Sequence, residues 1–478
     1  MKALVSILAA FMVAVTMTGC DTSADKITEE MASADVEYIL VDFVDDISPQ
    51  DVLKIERKFG IDVVPNSDMY SKTKLTRLKV DYSNRDRIEE IVNGLEDTDM
   101  VEAVEVEQIY KVIEQTGVLQ NGEQNTSYSA PLLSAPNDPL YKEGKQWNMT
   151  MIGVEKAWET THGEDVVVAV LDTGISTGKG KYPRVPDLHQ TCMVEGRNFT
   201  RDGAKNDPYD YHGHGTHVGG TIAQSTNNGI GAVGVAFKAC LMPVKVLGDN
   251  GSGSTAGIAE AIVWAVDNGA HVINMSLGGG GYSKVMDNAL NYAVSKNVFV
   301  ACAAGNNGGP RIEYPAAMDG CQAVSSVGKA GKLAFYSSYG TNGNGLFITA
   351  PGGDQRADGQ EGGVWQNTIK TGDPTKHGYF PFQGTSMATP HVAGVAALVV
   401  SALPTEYTLD QVKDAMSSSA TAMNDRAKYG SGLLNAEKAV SAAKNTDDST
   451  DIPNPLEWFL GFLVLLGLVK AVRVSLSS

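Results

Sequence analysis

Positive charge is scarce in this chain. Its 478 residues hold 38 Lys and Arg against 56 Asp and Glu, a formal charge of −18. Phosphate backbones are bound by clustered cations, so nucleic acid is excluded as the main partner. No His-Glu-x-x-His occurs, which removes the commonest helical zinc motif. No internal repeat is evident. The apolar run Trp458–Val469 falls short of the ~20 residues that span a bilayer. Adding Leu456 and residues 471–476 gives a marginal span, with an interfacial anchor or a cleaved sorting segment as alternatives. A hydrophobic content of 42 %, aromatics and cysteine included, excludes wholesale disorder. The length calls for two or three folded units.

The amino terminus is a targeting segment. Lys2 precedes an apolar run, Ala3 to Val15, and residues 1–19 are set aside from the fold as a leader. Met17-Thr18-Gly19-Cys20 resembles a bacterial lipoprotein box, which implies lipid on Cys20. Four cysteines remain: Cys192, Cys240, Cys302 and Cys321. An even number in an exported chain suits two disulfides, in any of three pairings. Cys192–Cys240 with Cys302–Cys321 is the preferred expectation, and buried free thiols are the alternative.

Residues 36–112 alternate strand and helix patterns. Tyr38–Phe43, Ile61–Val64, Leu75–Tyr82 and Val101–Val112 read as strands. Ser48–Phe59 and Arg85–Leu95 read as helices, with Val52, Ile55 and Phe59 on one face of the first. The result is a βαββαβ, ferredoxin-like unit. Residues 113–136 are rich in Ser, Asn, Gln and Gly and read as a linker. From 137 to 443, near-continuous apolar strands alternate with helices. These strands are Val166–Leu171, Leu241–Leu247, Val272–Met275, Val298–Ala301 and Ala323–Val327; Ala256–Asn268 and Ser283–Lys296 are helices. Such strands belong to a parallel sheet covered on both faces, an α/β domain. Residues 444–478 form an acidic linker followed by the apolar tail.

Four local patterns carry chemistry. Gly384-Thr385-Ser386-Met387-Ala388 reads as a loop entering a helix. Backbone N–H groups at a helix start are unpaired and favour negative charge, so a serine there can attack a carbonyl while its own amide receives the oxyanion. Asp172 ends an apolar strand in Leu171-Asp172-Thr173-Gly174, where α/β sheets place their sites. A single Asp-Thr-Gly in an α/β pattern does not make a two-aspartate site. His212-Gly213-His214-Gly215-Thr216-His217 has no carboxylate or cysteine to complete a metal set. His214 is the expected general base, with His212 and His217 structural. Asn306 ends another apolar strand and can donate to a developing oxyanion. No Gly-x-Ser-x-Gly surrounds Ser386, which disfavours an α/β-hydrolase.

These motifs (Asp-Thr-Gly-Ile, His-Gly-Thr-His-Val, Ala-Ala-Gly-Asn and Gly-Thr-Ser-Met-Ala-Thr-Pro-His-Val-Ala-Gly) resemble those of the subtilisin-family serine proteases over 137–443. The resemblance implies Asp172 as acid, His214 as base, Asn306 as oxyanion donor and Ser386 as nucleophile of a serine endopeptidase. A catalytically dead relative is the competing reading. Ser276, Leu277 and Gly278 resemble one substrate-pairing strand, Gly251, Ser252 and Gly253 the other, and Ala304 and Gly305 flank the cleft. Substrate peptides or proteins then bind as an added strand.

Glu313 stands at the implied base of the S1 pocket, where small residues are frequent. A preference for basic P1 residues follows, with a solvent-facing Glu313 as the alternative. Thr255 stands where relatives carry an aromatic, which opens S4. The loop Thr226–Gly234 resembles a calcium loop, with Asp138, Asp187 and Asn228 as side-chain ligands and Thr226, Ile230 and Ala232 giving carbonyls. Calcium is then structural, and no catalytic metal is expected. The βαββαβ unit resembles an inhibitory pro-domain, cleaved between Tyr110 and Ala135, where Lys111 is the sole basic residue. A monomer is expected, exported from a bacterial cytoplasm to the periplasm, cell surface or medium. Cys20 lipid lies on the pro side of that cleavage, so Trp458–Val469 decides whether the mature enzyme stays at a membrane.

Overall fold

A computed structural model describes residues 38–80, 84–113, 136–178, 182–201 and 203–448. The leader, Cys20, the linker over 114–135 and Trp458–Val469 lie outside the described residues. The chain divides into two compact units between Val106 and Glu107.

The first unit is a four-stranded antiparallel sheet, β1 (Tyr38–Phe43), β2 (Val63–Pro65), β3 (Leu75–Lys79) and β4 (Val101–Val106), in the order β2-β3-β1-β4. Helices α1 (Pro49–Phe59) and α2 (Arg85–Glu96) supply the apolar stripe that closes its core. Ile55 and Phe59 of α1 and Ile88, Val92 and Leu95 of α2 pack with Ile39, Val41, Leu78 and Val104. Ser48 caps α1 by accepting from the Asp51 amide, and Pro49 occupies the first turn, where its missing N–H costs nothing. The βαββαβ order is as the sequence predicts.

The strand expected over 101–112 is broken, however. Glu107 and Gln108 interrupt it, and β5 (Ile109–Val112) groups with the second unit. The alternation lapses there, with two polar residues in succession, a mark that the single-strand expectation passed over.

The second unit is built on a seven-stranded parallel sheet. Its strands are β6 (Val167–Asp172), β7 (Arg197–Asn198), β8 (Cys240–Lys245), β10 (Val272–Met275), β12 (Phe299–Ala303), β13 (Gln322–Val327) and β14 (Ile348–Pro351). Their order is β14-β13-β12-β10-β6-β8-β7. The strands predicted from apolar runs fall within two or three residues of these. Between β8 and β10 lie β9 (Ser252–Ser254) and helix α4 (Thr255–Asp267); α3 (His214–Ala223) follows β7, and β11 (Leu277–Gly278) leads to α5 (Lys284–Ser295).

Helix α6 (Thr385–Ala402) is the centre of the core. Residues Thr385 to Val400 are all buried, packed with strand residues such as Val168, Phe299 and Val324 and with Val412 and Val440 of later helices. Among the described residues it alone is long and apolar enough to cross a membrane, but its window is 89 % buried inside the fold, as a core helix should be. The sequence expectation contains no counterpart of the antiparallel hairpin β15 (Val364–Lys370) and β16 (Asp373–Phe382) that feeds α6. Two disulfides join Cys192 to Cys240 and Cys302 to Cys321, the expected pairing.

Candidate active site

Asp172 closes β6 and His214 opens α3, which brings their side chains together in the interior. His214 Nδ1 lies 2.7 Å from Asp172 Oδ1, and both residues are fully buried. The same carboxylate oxygen accepts from the Thr173 amide at 2.7 Å. A second buried carboxylate, Asp210, holds the two elements in register. Its Oδ1 accepts from Thr173 Oγ1 and from the amides of His212 and Gly213; its Oδ2 accepts from the amide and hydroxyl of Thr216. Asp210 therefore satisfies orphan amides at the start of α3 and ties them to the residue after Asp172. Sequence reasoning missed Asp210, because the N-cap position itself is Gly213 and Asp210 reaches the helix start from three residues further back.

His217 does structural duty, as expected. Its Nε2 lies 3.0 Å from both the Val364 and Phe380 carbonyls, and its ring stacks on Phe382 at 4.3 Å. Burial pushes its pKa down to about 3.

Ser386 lies in the first turn of α6. Its Oγ donates to the Ile113 carbonyl at 2.7 Å and lies 3.1 Å from the Ser276 carbonyl. Pro390 explains a further contact. Four residues after Ser386, it lacks the N–H that would bond the Ser386 carbonyl. Ser276 Oγ donates to that carbonyl instead, at 2.9 Å. Ser276 was expected to contact substrate; its side chain supports the serine's own backbone. Asn306 Nδ2 donates to the Ile113 carbonyl at 2.9 Å, while its Oδ1 accepts from the amide and hydroxyl of Thr385. Thr385 thus fixes which end of the amide faces the cleft, a role invisible without the fold.

The expected added strand is present, and the chain itself supplies it. β5 runs antiparallel between β9 and β11. Tyr110 pairs with Gly253, Lys111 with both Ser252 and Gly278, and Val112 with Leu277; the Val112 amide donates to the Gly251 carbonyl at 2.8 Å. Ala304 and Gly305 make scaffold bonds, to Val324 and Glu313 and to Ser338.

A peptide carbonyl is therefore held between a serine hydroxyl and a side-chain amide. Residues 163–438 match the model of the subtilase peptidase family. The chain belongs to the subtilase family. It is 40 % identical over 294 residues to a thermostable alkaline protease of Halalkalibacterium halodurans, covering 61 % of this chain and 73 % of that one. It is 32 % identical over 408 residues to a thermophilic serine proteinase of a Bacillus species, covering 84 % and 87 %. Among solved structures it resembles a protease of Pseudoalteromonas arctica, with 36 % identity and a TM-score of 0.59 over 64 % of this chain and 99 % of the other. It also resembles fervidolysin of Fervidobacterium pennivorans, a keratinolytic enzyme related to subtilisin, with 26 % identity and a TM-score of 0.67 over 85 % and 61 %. This subtilase is a serine endopeptidase with the α/β fold of its family.

Of the residues expected to hold calcium, the structure brings Asp138 and Asp187 to Asn228 and brings Asp187 to the amide of Ala232 rather than its carbonyl. Asp138 and Asp187 are fully buried. Asp138 accepts from the amides of Asn227 and Asn228, at 2.9 and 3.4 Å; Asp187 accepts from Asn228 Nδ2 at 2.6 Å and from the Ala232 amide at 2.8 Å. Burial pushes the Asp187 carboxyl up to about 7, and the Asp138 charge adds to the rise. Two carboxylates forced together out of water fit a cation, as does the close backbone approach at Gly231, where a Cβ would stand 2.2 Å from Asp187 Oδ2.

Glu313 is half-buried rather than turned to solvent. It packs over Gly305 and accepts from Asn307 Nδ2 at 2.6 Å, and burial raises its pKa. The residue presented to Ser386 is nevertheless Ile113. Lys111, to which a basic preference points, lies two positions upstream and is exposed.

Proposed function

We propose that this subtilase is made as an exported precursor whose Ser386, His214 and Asp172 hydrolyse peptide bonds through an acyl-enzyme, and whose segment 107–113 first blocks the site. One observation carries the reading: the Ile113 carbonyl oxygen accepts from Ser386 Oγ and from Asn306 Nδ2 at once. His214 takes the Ser386 proton as Oγ bonds to the carbonyl carbon, and Asp172 stabilises the imidazolium. The oxyanion gains the Asn306 amide and the Ser386 N–H; loss of one such donor costs about 10²–10³ in turnover. His214 then returns the proton to the leaving amine, and water releases the acyl group by the same route.

The leader 1–19 supports export, and the βαββαβ unit supports a chaperone and inhibitor role. Calcium would be held by Asp138, Asp187 and Asn228 with the carbonyls of Thr226, Ile230 and Ala232. Its charge would offset the buried carboxylates and fix the loop, and no catalytic step calls on it. Ser386→Ala is expected to abolish casein hydrolysis and to leave the chain uncut. Casein hydrolysis by that variant overturns the proposal.

A further inference from the structure

One buried charge beside the site takes no part in the proposed proton transfers. Lys245 ends β8, and its side chain is only 2 % exposed. Burying an ammonium is costly unless it is well paired. Its carboxylate partner, Asp249 Oδ1 at 3.0 Å, is 58 % exposed, and an ion pair with one end in water adds little stability. Stability alone therefore does not account for a lysine here.

Its position does. β8 runs parallel to β6, with Lys245 opposite Asp172. Lys245 Nζ donates to the Thr173 carbonyl at 2.8 Å and lies 5.8 Å from the centre of the Tyr211 ring. The amides of Val246 and Leu247 donate to the Asp172 carbonyl at 2.9 and 3.1 Å. One segment, 245–247, thus holds both carbonyls where β6 ends. Thr173 is gripped from the other side as well: its hydroxyl donates to Asp210 and accepts from the Gly215 amide of α3. Asp249, the second acceptor of Lys245, belongs to the loop that leads to β9. The Gly248 amide closes that loop on the Ser252 carbonyl at 2.8 Å, and the Gly251 carbonyl accepts from Val112 of β5.

We propose that Lys245 is a positioning residue of the protease: it joins the carbonyl after Asp172 to the loop that starts β9, and so aligns the Asp172–His214 couple with the strand that pairs with substrate. Its charge also stands beside a carboxylate whose Oδ2 is buried without a hydrogen-bond partner, and it opposes a second positive charge on His214 until the serine proton arrives. The other titratable groups on elements packed about the couple are Asp210, Tyr211 and His212 before α3, His217 on α3, Glu260 on α4, Asp249 and His391 on α6. Burial holds His217 and His391 down at about 3 and about 4 and Tyr211 up at about 12, so these three are neutral at pH 7. Lys245 is the lasting cation of the set.

The inference rests on the proposed serine chemistry, and the test separates the two. Processed wild type, Lys245→Met, Lys245→Arg and Asp249→Asn are compared on an uncharged peptide substrate from pH 5 to 10 at fixed ionic strength, with casein in parallel and Tm read by calorimetry. Lys245→Met is expected to lower kcat about 10- to 100-fold, with KM changed less than about threefold, because the lysine touches no substrate. The acid limb of its kcat/KM profile should move up by about half to one pH unit, since imidazolium no longer faces a cation. Lys245→Arg keeps the charge and should leave that limb in place. Asp249→Asn, changed at the exposed end, should fold and lower kcat about two- to fivefold. A folded Lys245→Met with an unmoved acid limb, or one raising KM and not lowering kcat, overturns the inference. Should Lys245→Met fail to fold, wild-type kcat in Asp249→Asn overturns it. Casein hydrolysis by wild type upholds the serine protease in either case, and its absence overturns both.

Discussion

Two pairs of buried aspartates sit in the same unit, and they are provided for in opposite ways. Asp172 and Asp210 lie at the junction of β6 and α3: Asp172 Oδ1 has His214 and the Thr173 amide while its Oδ2 is buried without a hydrogen-bond partner, and Asp210 takes five donors. Asp138 and Asp187 lie beside the loop Thr226–Gly234, and the donors to Asp187 do not offset its burial, to which the Asp138 charge adds. A buried charge is tolerated when its partners belong to the fold, and calls for a ligand when they do not. The first pair is therefore held by donors of the fold and of the reacting histidine, and the second is the one that the proposed calcium would serve.

The largest expected effect comes from breaking the first pair. Asp172→Asn should lower kcat about 10⁴-fold, because the imidazole loses its tautomer and its counter-charge. Steady-state rates on a peptide substrate measure this, and the loss should be the same with calcium or chelator present.

Next comes the second pair. Calcium at 100 times its Kd should stabilise the wild type by about 2.7 kcal/mol, and Asp187→Asn by much less. Calorimetry with calcium and with chelator reads the difference. An equal calcium shift in wild type and Asp187→Asn would erase the contrast between the pairs.

These pairs also mark what was legible in the sequence. Asp172, His214, Asn306 and Ser386 each stand at a strand end or helix start inside a dense motif, so their grouping could be expected. The ligands expected on the loop Thr226–Gly234 came from its resemblance to the family's calcium loop, not from any spacing rule. Thr385 and the Ser276 side chain were not legible, because each acts through partners set by the fold, such as Thr385 on Asn306 across 79 residues and Ser276 on Ser386 across 110. The parallel sheet was legible from its uninterrupted apolar strands. The break after Val106 was passed over, although Glu107 and Gln108 interrupt the alternation with two polar residues in succession.

The smallest effect is acid lability. Burial holds His217 and His391 at about 3 and about 4, below the usual histidine value of 6.5. The unfolded chain binds more protons in that window, so their contribution is present above 6.5 and lost as pH falls toward 4. With calcium present, lowering pH from 7 to 6 should cost about 1 kcal/mol. Without calcium the raised Asp187 pKa acts in the opposite sense, giving stability that is lost as pH rises through about 7. Chelator should therefore flatten the pH dependence of Tm.

The central claim is that Ser386 is the nucleophile, and covalent labelling tests it most directly. The processed enzyme is treated with an organophosphorus fluoride, and its peptides are weighed by mass spectrometry. One label on Ser386, gained in proportion to the activity lost, is the predicted result. Full labelling elsewhere with Ser386 untouched, or activity retained after Ser386 is modified, would contradict the account.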